Sequence, residues 1–255
     1  MHHGALRLLI GAACVAAASA ADPIRAFAQA TPAPPVNLQV FPKDTPRPAL
    51  IQRMREFSFA LGVRCQYCHT GGDGVSLDGV VFESDQKVAK QKARAMMRLV
   101  DTINTTLLPQ VPSPVQPAVK VDCVTCHRGL PIPRTLEAVL SDTIAHDGAA
   151  AAIRQYRDLR AKEALTGRYD FDEWRINELA RVLVEKGDID SAIAMLEMNA
   201  EFNPSSVAID VQLADLFLKK GDRTKALTRL RSASQKEPAN ERLKRRIAEL
   251  ERPER

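Results

Sequence analysis

The chain has 255 residues, with 36 Lys and Arg against 31 Asp and Glu for a formal charge of +5; 45% of the residues are hydrophobic but only 5% are aromatic. This balance excludes a chain disordered throughout, a collagen-like repeat and a multi-span membrane protein, and it allows one large or two small cores built mainly from Ala, Leu, Val and Ile. A charge this small and diffuse does not point to nucleic acid.

The chain opens with Arg7, an apolar run from Leu8 to Ala21, and small-x-small sites at Ala18-Ser19-Ala20 and Ala28-Gln29-Ala30. Residues 1–30 therefore read as a secretory signal peptide, cleaved after Ala20 or Ala30, which places the product in the periplasm or at its membrane surface. The rival, an uncleaved anchor, is disfavoured because the run is short for a hydrocarbon core of about 30 Å. Cys14 lies in this run without a Leu-x-x-Cys lipobox. Removal of the leader leaves Cys65, Cys68, Cys123 and Cys126, with His69, His127 and His146 as the remaining histidines.

Arg47 to Leu61 reads as a helix, with Pro48 tolerated in its first turn and Gly62 suited to ending it. Leu50, Met54, Phe57 and Leu61 form one apolar stripe, which leads through Gly62 into Cys65-Gln66-Tyr67-Cys68-His69. Thr70 to Phe82 is a turn-rich loop whose Asp73 and Asp78 are too few for a calcium site. Ser84 to Leu107 reads as a second helix, capped by Ser84 or Asp85 and stopped by Pro109. Its apolar face is Ala89, Ala93, Met96, Val100, Ile103 and Leu107, with Met97 near the edge. Lys87, Lys90, Arg94 and Arg98 on the opposite face read as a solvated basic stripe. Pro109 to Pro117 is expected to run extended, into Cys123-Val124-Thr125-Cys126-His127.

Paired cysteines have three readings. Disulfides are usual in exported chains, and a four-cysteine zinc site fits the CxxC spacing, yet neither uses the two histidines. Covalent haem uses every residue: two thioether links per porphyrin, and the adjacent His on the iron. Two haem c groups are therefore expected, held by Cys65, Cys68, Cys123 and Cys126, with His69 and His127 as axial ligands. For the opposite face of each iron, Met54 is expected at the first haem, because its stripe runs directly into the first motif. Met96, in the middle of the second stripe, is expected at the second, with Met97 and His146 in reserve; a packed core Met is the alternative in each case.

The second half repeats. Gly187 and Gly221, Pro204 and Pro238, Ala192 and Ala226, and Leu179 and Leu213 are each 34 residues apart. A 34-residue period resembles tetratricopeptide repeats, with units at about 174–206 and 208–240, preceding helices in 135–166 and a closing helix in 241–254. Such units offer a surface for protein docking or a stabilising cap.

The run Asn37 to Asp44, the helix containing Met54, Ala60-Leu61-Gly62-Val63-Arg64-Cys65 with Cys68-His69, the Met96-Met97 helix, and Val124-Thr125-Cys126-His127-Arg128-Gly129 together resemble the photosynthetic reaction-centre cytochrome c subunit family over about residues 35 to 133. The resemblance implies proximal roles for His69 and His127 and a distal role for Met54. Four-haem members of that family have two such halves, and one haem takes a distal His from the other half. This chain has one half, so the second haem is left to Met96, another side chain, or an open position.

The expectation is thus an all-α exported protein: leader 1–30, two-haem c-type domain 31–134, and tetratricopeptide-like helical domain 135–255. It is read as a single-electron carrier between redox proteins rather than an enzyme with its own substrate, with no nucleic acid partner and no membrane span in the mature chain. An open position on the second iron would instead give a peroxidase-like enzyme or a haem sensor.

Overall fold

The computed structural model describes residues 34–112 and 119–252. The expected leader, and residues 113–118 of the proline-rich stretch, lie outside them.

The described chain is all-α apart from one minute hairpin. Helix α1 spans Arg47–Leu61, the bounds read from its sequence, and ends on Gly62 in the left-handed conformation (φ 65°), where a glycine has no Cβ to clash. The first cysteine motif follows as a 3₁₀ turn, Cys65–Tyr67. Strands β1 (Thr70–Gly71) and β2 (Val80–Val81) pair antiparallel and close the glycine-rich loop. Inside that loop the Asp73 carboxylate accepts the amides of Val75 and Ser76, at 2.8 and 2.7 Å. It is a side-chain-closed turn.

Helix α2 spans Val88–Thr102 and continues as a π-helical turn, Ile103–Leu107. Its start corrects the expected cap at Ser84 or Asp85. Asp85 instead binds Arg94 at 2.9 Å and Lys90 at 3.0 Å, and accepts the side-chain amides of Asn37 and Gln39 at 3.0 and 3.1 Å. A carboxylate drawn to two cations and two amides is not free to cap a helix. Asn37, itself at φ 62°, and Phe41, stacked on Phe57, make the segment ahead of α1 a strap tying α1 to α2. Short helix α3 (Cys123–His127) holds the second motif. The Asn104 amide, in the π-helical turn, exchanges two hydrogen bonds of 2.8 Å with the Val121 backbone and fixes the approach to it.

Seven further helices follow: α4 (Leu136–Asp147), α5 (Ala149–Glu163), α6 (Glu173–Glu185), α7 (Ile189–Phe202), α8 (Val207–Lys219), α9 (Arg223–Lys236) and α10 (Glu241–Glu251). They pack as antiparallel hairpins α4/α5, α6/α7 and α8/α9, closed by α10. The 34-residue period is visible in the backbone. Asp188 caps α7 by accepting from Ser191, and Asp222 caps α9 by accepting from Lys225. Each follows a glycine at positive φ, Gly187 and Gly221. The core runs continuously from Leu136 to Leu243. Two polar groups are buried within it. Asn199 bonds Asn177 and the Glu173 carbonyl, and Asp210 is paired with Lys236 and Ser232, both at 2.6 Å. Buried polar atoms with partners cost little, and none among the described residues lacks one.

Candidate haem sites

In both motifs the backbone brings the histidine back over its cysteine pair. At the first, the amides of Cys68 and His69 both donate to the Cys65 carbonyl, at 3.2 and 3.0 Å. At the second, cysteines three apart on α3 share a face, and Asp122 begins the helix with its amide donating to the Thr125 hydroxyl at 3.0 Å.

The two imidazoles are oriented alike. His69 Nδ1 lies 3.1 Å from the Phe82 carbonyl oxygen, and His127 Nδ1 lies 2.8 Å from that of Leu130. A carbonyl only accepts, so each Nδ1 carries the proton and donates it. That leaves each Nε2 as the nitrogen available to a metal, the arrangement by which proteins hold a ligating histidine in one tautomer. At His69, burial first and then the Lys90 cation push the imidazole below its ordinary pKa, which keeps it neutral at pH 7. Phe82 meets its ring edge-on at 5.0 Å between centroids.

The cysteines are unpaired: none of the four is in a disulfide. Burial raises the Cys68 and Cys123 thiols, Cys123 also through the nearby Asp122 carboxylate, and neither shift favours the thiolate that zinc binding or thiol exchange uses. Nor do the two pairs converge. Among the described residues no group of three or more His, Cys, Asp or Glu is placed to hold a bare metal ion.

The surroundings suit a large apolar group. A cleft of about 570 Å³ opens beside the second motif, with Phe57, Phe59 and Ala60 of α1 facing Cys123 and Val124 of α3. Phe59 and Val124 are 85% and 54% exposed. A smaller recess of about 140 Å³ adjoins Cys126, and Arg128 and Arg168 line both, offering cations to an anionic rim. This donor set and its apolar walls fit haem c.

The junction of α1 with α3 is close. The Gly129 amide donates to the Ala60 carbonyl at 2.8 Å, and a Cβ on Gly62 would stand 2.2 Å from the Gly129 oxygen. The helix leading into the first motif thus forms a wall of the second. The loop between α5 and α6 adds another, through Thr166, Gly167 and Arg168. Sequence reasoning missed that wall, because it is forty residues from the motif and carries no signal of its own.

Met54 is half-buried on α1 and does not line the cleft facing α3. Met96 is 41% exposed, which excludes a packed core role, whereas Met97 is half-buried. His146 is exposed in the last turn of α4, its Nδ1 2.8 Å from the Asp142 carbonyl of its own helix. The basic stripe corrects the expectation of a solvated face. Arg94 is buried, Lys90 has 12% of its side chain exposed, and Lys87 donates to the Gln66 carbonyl inside the first motif. These cations are drawn inward by backbone oxygens and Asp85 in a segment with few apolar groups to bury.

Residues 64–174 match the model of the family described as photosynthetic reaction centre cytochrome C subunit. The match starts after Met54 and runs on through α4, α5 and the loop that walls the second motif, whereas the resemblance read from the sequence covered 35 to 133. Cytochrome c-554 of Chloroflexus aurantiacus (strain ATCC 29366 / DSM 635 / J-10-fl) is 38% identical over 74 residues, which is 29% of this chain and 16% of that protein. Among solved structures, the Yersinia enterocolitica type III secretion chaperone SycD, in complex with a peptide of the translocator YopD, covers 45% of this chain and 86% of its own. At 16% identity and a TM-score of 0.30, that likeness is too slight to bear on fold or function. Residues 64–174, which hold both cysteine motifs, are thus similar to the photosynthetic reaction centre cytochrome C subunit family.

Proposed function

We propose that the protein is an exported two-haem c-type cytochrome that passes single electrons between redox proteins of the periplasm or its membrane surface. The observation that carries this reading is the matched setting of His69 and His127, each with Nδ1 held by a backbone carbonyl and Nε2 left for iron. Cys65 and Cys68 attach one haem and Cys123 and Cys126 the other. Bound haem supplies a one-electron couple, whose potential an axial thioether tends to raise. Met54 would ligate the iron of the first haem and Met96 that of the second, with Met97 and His146 as the alternatives there.

The division of labour follows the chain: a leader over 1–30, the two-haem unit over 31–134, and the tetratricopeptide-like hairpins over 135–255. The hairpins support the second site through Arg168 and its loop, and present the outer surface for protein docking. No helix of the described residues is long and apolar enough to cross a membrane.

A pyridine haemochrome count and spin-state spectroscopy on the exported protein test this. Two thioether-linked haems per chain, both low-spin and indifferent to carbon monoxide, are expected. Intact-mass analysis giving bare polypeptide would overturn the reading, and a high-spin iron that binds carbon monoxide would replace the carrier by a sensor or peroxidase-like enzyme. Met54→Ala is expected to turn one haem high-spin; an unchanged spectrum removes Met54 from its role.

A further inference from the structure

The two motifs differ in what else touches the carbonyl that orients the histidine. The Leu130 oxygen receives His127 and, among the described residues, no cation. The Phe82 oxygen receives His69 at 3.1 Å and also the Lys90 ammonium at 2.8 Å. Lys90 is held there by two further bonds, to the Ser84 carbonyl at 2.9 Å and to Asp85 at 3.0 Å. Arg94 takes the same Asp85 oxygen at 2.9 Å, and Lys87 stands on the Gln66 carbonyl. The first motif therefore sits against three cations and one carboxylate. Lys90 alone of these shares an acceptor with the proximal histidine.

We propose that Lys90 is a positioning residue that raises the reduction potential of the haem attached at Cys65 and Cys68; the inference rests on the two-haem reading above. An acceptor on Nδ1–H pushes electron density through the imidazole toward the iron and favours the oxidised state. An ammonium on the same oxygen draws that density away, so the His69 ring donates less. Its positive charge, little screened at this burial, also disfavours adding a further positive charge at the metal. Both effects favour the reduced state. Asp85 opposes Lys90, so removing the carboxylate acts in the opposite sense.

Redox titration of the intact two-haem protein tests this, with the haem bound at Cys123 and Cys126 as internal reference. Lys90→Met is expected to lower one midpoint by about 59 mV, a tenfold change in the oxidised-to-reduced ratio for one electron, and to leave the other in place. Lys90→Arg is expected to keep the wild-type value, and Asp85→Asn to raise the midpoint that Lys90→Met lowers. Two unmoved midpoints, both moving together, or both variants shifting one midpoint in the same direction would each overturn the role of Lys90. Should Lys90→Met fail to mature, the sign of the Asp85→Asn shift decides. A wild-type chain without thioether-linked haem would instead overturn the two-haem reading itself.

Discussion

Among the described residues, the stretch 34–134 buries a single apolar side chain, Ala60, whereas every other buried apolar residue lies between Leu136 and Leu243. The exposed large apolar side chains show the converse: Phe59, Tyr67, Phe82, Met96, Val124 and others fall in the first region, and only Leu165 and Trp174 in the second. The second region is a conventional helical core, closed by the stacking of one hairpin on the next. The first is held by a polar frame. Its parts are Asp85 with Arg94 and Lys90, Asn104 on Val121, and the two carbonyl-bound histidines. A segment of this size with so little buried apolar surface depends on something besides its own side chains. Covalent haem would supply that surface where Phe59 and Val124 face the second motif.

Several measurements can break or sharpen this contrast. The largest effect is expected from chain made in a host without haem-attachment machinery. Amide hydrogen exchange should then be fast throughout 34–134 and slow from Leu136 to Leu243. Equal protection in both regions would show that the first folds by itself. Next in size is Leu213→Ala, which empties a fully buried site in α8 and is expected to cost about 2–5 kcal/mol by chemical denaturation. The haem absorbance should be unchanged by it, because the cavity lies in the other region. Gly62→Ala puts a Cβ against the Gly129 oxygen at a position with φ 65° and is expected to cost about 1–3 kcal/mol. Unlike Leu213→Ala, it should perturb the visible spectrum, since it moves the wall between the two motifs.

The smallest effect is in acid. Arg94 first, then Asn37 and Lys90, hold the Asp85 carboxyl well below the usual carboxylate range. Its folded pKa is therefore depressed, so its contribution is complete above the unfolded value of about 3.9 and fades as pH falls below it. Amide protection in the strap around Asn37 and Gln39, measured against the unstructured exchange rate at each pH, should fall as pH drops through that window. Asp85→Asn should remove the dependence while the helical region shows none of it.

How much was legible without coordinates varies with the reach of the interaction. The bounds of α1 and its end at Gly62 follow from Pro48, a stripe of helical period and a glycine, all within one turn of the places they act. The hairpins follow from a repeat that recurs at a fixed offset. The start of α2 was misjudged because Asp85 had equally good local grounds to cap a helix. Its partners Asn37 and Gln39 are more than forty residues away and invisible to any local rule. The basic stripe was misread for the same reason: periodicity shows that Lys87, Lys90 and Arg94 share a face, but not which way that face turns.

The amino-acid sequence by itself determined the chemistry and the local elements, because thiol pairs next to an imidazole, helix stripes and caps act over a few bonds or a single turn. Only the tertiary structure decided that α1 and the loop after α5 wall the second motif, and that a lysine cation rests on the carbonyl holding His69. Those arrangements depend on which distant oxygen, carboxylate or glycine a folded chain brings within about 3 Å, the range over which a hydrogen bond acts.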